Sequence, residues 1–313
     1  MFQGIVGHKE VCQFLARSIE AGRVAHAYLF VGPEGVGKMT MARAFALGLL
    51  RGDGGKVLSV DVHPDVVFMG RDVDEKTGVL KGEITVEQIR DLRTRLAHSS
   101  LLPSWKIAVI DEADMMNLSA ANAFLKNLEE PTPKTVIILL ARDMRSLPET
   151  VKSRVQMIRF GTVREEEIRA ALVLDGLAAR DVSLLVRAAG GRPGYAMTFA
   201  RDRKAFKDFT KEIAVRAAVL DAPVHERVRF IDKTVKGAKS AALEEEFRLW
   251  RIVLRDRFLG SLGLFDLQSD SDEKTKAGDI NHATKTLKRM AEAELASKSH
   301  VDPRLVFAHF LLS

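Results

Sequence analysis

Cysteine is almost missing from this chain: Cys12 is the only one in 313 residues. A lone thiol forms no internal disulfide, and cysteine-based metal centres are excluded with it. Cys12 lies in a helical pattern and reads as a small apolar residue. Also missing is any apolar run of the ~20 residues a bilayer crossing needs. The start, Met1-Phe2-Gln3-Gly4-Ile5, has neither the basic segment nor the apolar stretch of a secretory signal. A cytoplasmic location without a membrane partner is expected. There is no arginine-rich block and no ladder of aromatic and basic residues. The net charge of +6 and pI of 9.4 are compatible with nucleic acid nearby but do not demand it.

What is present is an ordinary globular composition, 46% hydrophobic and 29% charged, over a length that suits two or three domains. Short apolar runs alternate with helical patterns through residues 1–161. Ala27–Val31, Val66–Phe68, Ile107–Ile110, Val136–Leu140 and Val155–Phe160 read as strands. Helical patterns cover residues 8–22, 38–51, 85–98 and 118–128, with Thr85 a candidate N-cap. Continuous apolar strands between helices imply an α/β domain whose mostly parallel sheet is covered on both faces.

Past Gly161 the strand signal fades. Residues 162–205 read as short helices around Gly190-Gly191-Arg192-Pro193-Gly194, and residues 206–313 as helices only. Leu243, Phe247, Trp250, Leu254 and Phe258 form one apolar stripe. It suits either the core of this bundle or a contact with another subunit. Gln268–Asp279 reads as a polar loop, and Pro303 opens a last helix to about Leu312.

Gly32-Pro33-Glu34-Gly35-Val36-Gly37-Lys38 fits G-x-x-x-x-G-K between a strand and a helix. Gly32, Gly35 and Gly37 let backbone N–H groups converge on phosphate oxygens, and Lys38 reaches the terminal phosphates. The next residue should carry a hydroxyl for Mg²⁺, but it is Met39. Thr40 follows on a different side of the helix. Magnesium is therefore expected to be held poorly. The residues leave open whether ATP or ADP binds without metal or not at all. Asp111 and Glu112 close the Ile107–Ile110 strand, at the edge where such sheets take ligands. Asp111 is placed to serve a metal and Glu112 to polarise water, both vestigial if the metal is lost. No cysteine lies between Arg51 and Val62, no zinc is expected, and His63 reads as structural.

With Asp111-Glu112-Ala113-Asp114, the phosphate loop resembles an AAA+ ATPase domain. Three further stretches are similar to the clamp-loader branch of bacterial DNA polymerase III: Ile84–Arg90, Asn122–Pro131, and Leu147-Pro148 with Ser153-Arg154-Val155-Gln156. Val301–Val306 is similar to the family's last collar helix. The resemblance implies an AAA+ domain over 1–161, a helical lid over 162–205 and a helical collar over 206–313. It implies a hetero-pentamer with gamma/tau motor subunits and delta, acting on a sliding clamp and on primed DNA. Arg154 would be an arginine finger given in trans to a neighbour's ATP. Met39, Ala141-Arg142 at a phosphate-sensing strand end, and Gly194 where motors carry arginine all depart from a motor. The resemblance thus implies a subunit that completes another's site. An active gamma/tau-like motor is the alternative.

Overall fold

In the computed structural model, residues 1–52, 57, 59–74, 78, 80–97, 105–174, 176–177, 179–235, 240–264, 280–297, 299 and 301–312 are described. They form two compact units, Met1–Ile168 with Gly191–Gly194, and Arg169–Gly190 with Tyr195–Ser313.

The first unit is built on five parallel strands: β1 (Ala27–Val31), β2 (Val66–Met69), β3 (Lys106–Ile110), β4 (Thr135–Ala141) and β5 (Gln156–Arg159). Their order is β2-β3-β4-β1-β5. Every residue of β4 is buried, because helices cover both faces of a central parallel strand. On one face α1 (Lys9–Glu20) and α2 (Lys38–Gly52) bury Leu15, Met41, Phe45 and Leu49 against Tyr28, Phe30 and Ile138. On the other, α3 (Val86–Ala97) and α4 (Leu118–Glu129) bury Ile89, Leu92 and Phe124 against Leu29, Ala108 and Leu139. A short helix, α5 (Glu149–Lys152), precedes β5. Thr85 does precede α3, and the bond at that end runs from its own N–H to Gln88 Oε1 at 2.9 Å. That is the reverse half of a capping box. The expected end of this helix at His98 lies outside the described residues.

The helices that follow are α6 (Glu165–Leu174), α7 (Ala179–Ala189), α8 (Pro193–Arg201), α9 (Arg203–Asp221), α10 (Val224–Val235), α11 (Ser240–Ser261), α12 (Ile280–Ser297) and α13 (Pro303–Leu312). Asp202 caps α9 through the N–H groups of Lys204 and Ala205. The second unit's main core brings α10, α11, α12 and α13 together. Trp250 packs edge-on to Phe310 and Phe230, and Phe247 stacks on Phe307. Each such side chain contributes about 1.5–3 kcal/mol of burial. Of the two readings of the apolar stripe, the core of this bundle is the one its packing supports. Leu243, Phe247, Trp250 and Leu254 face this core, and only Phe258 is less than fully buried. The physical reason is local: four helices each carry an apolar face, and these faces satisfy one another. The polar loop expected over Gln268–Asp279 lies outside the described residues. No described helix is long and apolar enough to cross a membrane.

Candidate functional site

The phosphate loop leaves the C-terminal end of β1, flanked by the ends of β4 and β5. Gly32 N–H donates to the Ala141 carbonyl at 3.1 Å, and Phe160 N–H donates to Val31. A Cβ on Gly32 would lie 2.2 Å from the Phe160 carbonyl oxygen, so the first glycine is fixed by strand packing. Gly35 and Gly37 have φ of 78° and 103°, the left-handed turns that wrap the loop. Among the described residues, no hydrogen bond occupies a backbone N–H from Glu34 to Thr40. That is the form of an anion nest at a helix start.

Lys38 folds over this loop. Its Nζ donates to the carbonyls of Gly32 and, at 2.8 Å, Pro33. Burial holds its pKa below the usual lysine value, against the attraction of Asp111 and Asp114. Asp111, at the end of β3 with β4 between it and β1, is pushed the other way: burial raises its carboxyl, opposed by the Glu112 N–H, which donates to Oδ1 at 2.9 Å. Asp114 Oδ1 is buried without a partner among the described residues.

Glu112 is held on two sides. Its backbone is left-handed, φ 50°, a strained position for a residue with a Cβ. Arg71 grips its carboxylate with both prongs, Nε to Oε2 and Nη2 to Oε1, each 2.7 Å. Arg142 Nη2 sits 3.2 Å from the same Oε1 and 3.2 Å from Glu34 Oε2, tying the acidic strand end to the phosphate loop. A carboxylate whose two oxygens are both taken by a guanidinium fork is poorly placed to orient water.

Met39, in the first turn of α2, packs against the core, and Thr40 beside it is exposed. With no hydroxyl after Lys38 and with Glu112 engaged, the residues here do not fit Mg²⁺. They do fit a phosphate. Gly194 closes the loop from outside: its N–H donates to the Gly35 carbonyl at 2.7 Å, and a Cβ there would lie 2.8 Å from that oxygen. No side chain fits at this position.

Arg154 is elsewhere. It follows α5 and precedes β5, at the N-terminal edge of the sheet, whereas the phosphate loop leaves the C-terminal edge. Four residues of strand, about 13 Å, separate the two edges. Its Nη1 donates to the Thr150 carbonyl at 3.0 Å, and its Nη2 pairs with Glu129 Oε1 at 2.9 Å. The structure thus gathers Gly32, Gly35, Gly37, Lys38, Asp111 and Glu112 and leaves Arg154 apart.

Two participants escaped the sequence. His8, at φ 53°, bonds the Val36 carbonyl through Nε2 at 2.9 Å and packs on Phe160. The glycine before it was the available signal. Arg71 had none, since it lies in an unpatterned stretch 41 residues from its partner.

Residues 7–164 match the family described as DNA polymerase III, delta subunit. The chain belongs to this family. Among curated proteins it is similar to the DNA polymerase III subunit tau of Escherichia coli, 33% identical over 61% of this chain and 31% of tau. It is also similar to the subunit delta' of Pseudomonas aeruginosa, 33% identical over 55% of this chain and 50% of that one. The chain therefore spans half or less of the length of these relatives. A solved DNA polymerase III gamma subunit-related protein from Thermotoga maritima aligns over 96% of this chain and 97% of its own. Its TM-score is 0.51 at 17% identity, a likeness of fold. The fold is AAA+.

Proposed function

We propose that this chain is a delta-prime-type subunit of a DNA polymerase III clamp loader, which hydrolyses little ATP and lends Arg154 to a neighbour's site. The placement of Arg154 carries the reading. A guanidinium at the N-terminal sheet edge cannot reach the phosphate loop of its own chain, so any nucleotide it serves belongs to another. An arginine finger stabilises charge developing on a transferring phosphoryl group. The state of Glu112 agrees, since its carboxylate is taken up by Arg71 and Arg142. So does Met39 in the metal-binding place.

On this reading the loader is a hetero-pentamer with gamma/tau motors and delta. It opens a sliding clamp and sets it on primed DNA, and this chain keeps one position in the ring. The three-part division stands as part of the proposal: residues 1–161 the AAA+ domain, 162–205 a lid and 206–313 a collar.

A gamma/tau-like motor is the second reading, favoured by the match to tau and by the retention of Lys38, Asp111 and Glu112. Turnover separates the two. A loader reconstituted with Arg154→Ala should lose hydrolysis at one neighbouring site, while the isolated chain hydrolyses almost nothing. Steady turnover by the isolated chain would instead identify a motor.

A further inference from the structure

We propose that Arg142 takes the place of the divalent metal at the phosphate loop, so that this chain binds ADP or ATP without magnesium. The inference rests on the loop being a nucleotide site, which the proposed function retains, and asks what balances the charge.

A nucleotide brings three or four negative charges in roughly one small volume. Elsewhere a lysine and a magnesium ion share that load. Here the metal's hydroxyl ligand is Met39, and its carboxylate neighbours are Asp111 and Glu112. Asp111 already accepts the Glu112 N–H, and Glu112 is bound by Arg71 through both oxygens. Arg142 stands where a cation is wanted. It follows Ala141 at the end of β4, the strand beside β1, and touches Glu34 within the loop. It also lies close enough to Lys38 for the two charges to oppose each other.

Its bonds to Glu112 and Glu34 can be exchanged. Glu112 keeps two 2.7 Å bonds to Arg71 when Arg142 leaves, so no carboxylate is stranded. Glu34 is 58% exposed, and water can replace the guanidinium there. An entering phosphate offers Arg142 a fork of charged acceptors to set against its 3.2 Å contacts with Glu34 and Glu112. The open N–H groups from Glu34 to Thr40 and the positive end of α2 supply the rest.

Calorimetric titration of the isolated full chain with ADP and with ATP, in magnesium and in EDTA, tests this. The affinity should agree within about twofold between the two conditions, since a group already on the chain does the metal's work. Arg142→Ala should weaken binding in EDTA by about tenfold or more, the worth of a charge-assisted hydrogen bond. Arg142→Lys should recover part of that loss. Circular dichroism melts of both variants show whether the fold is kept, and Lys38→Ala reports whether binding uses the loop. Binding strengthened tenfold by magnesium, undiminished binding in Arg142→Ala, or no binding of either nucleotide in either condition would each overturn the proposal. Because these are measurements on the free chain, they leave the Arg154 reading standing or falling on the assembled loader.

Discussion

Two arginine–glutamate pairs in the first unit have the same chemistry and opposite settings. At the C-terminal edge of the sheet, Arg71 holds Glu112 through two 2.7 Å bonds, with side chains 14% and 21% exposed. At the N-terminal edge, Arg154 meets Glu129 through one 2.9 Å contact, with side chains 36% and 47% exposed. The first pair is geometrically matched and partly withdrawn from water, so it fixes a group in place. The second is solvated and costs little to open. The C-terminal edge thus holds its charged pair firmly, while the pair at the N-terminal edge is the easier of the two to open.

The firmest way to break the fixed edge is Gly32→Ala. The new methyl meets the Phe160 carbonyl at 2.2 Å, and backbone on either side must shift. A loss of about 3 kcal/mol or more in urea denaturation is expected. Arg71→Ala comes next. It leaves Glu112 with Arg142 alone and should cost about 1–3 kcal/mol in the same assay. Glu129→Ala, at the opposite edge, should cost less than about 1 kcal/mol. Equal losses for Arg71→Ala and Glu129→Ala would erase the contrast.

The smallest effect is one of sign. Burial raises the Asp111 carboxyl above its ordinary value, so the folded chain takes up that proton more readily than the unfolded chain. Its favourable contribution is complete below the ordinary carboxylate range and is lost as pH rises through the folded value. Asp111→Asn keeps an oxygen for the Glu112 N–H and removes the charge. The variant should be more stable than wild type at neutral pH, and its advantage should shrink as the pH is lowered through that range. Thermal melts across the pH series read the difference.

Much of this was legible beforehand, for identifiable reasons. β4 is buried on both faces, and Val136–Leu140 had to be an apolar run. The glycine loop announced itself because only glycine lets the backbone pass under Phe160 and turn at Gly35 and Gly37. The grip on Glu112 was not legible. Arg71 and Arg142 come from separate strand ends, and neither spacing nor composition reports such a meeting. The apolar stripe on α11 shows the limit of periodicity. The spacing of Phe247 and Trp250 named a face, but only Phe307 and Phe310 across from it show that the face is satisfied within this chain.

The contrast between the two edges is tested most directly by ATP turnover in one reconstituted loader carrying, in turn, Arg154→Ala and Glu112→Gln in this subunit. Arg154→Ala is expected to lower hydrolysis at the adjoining site, by up to ~10³-fold there, and Glu112→Gln to change nothing. Normal turnover with Arg154→Ala, together with a loss in Glu112→Gln, would contradict that contrast.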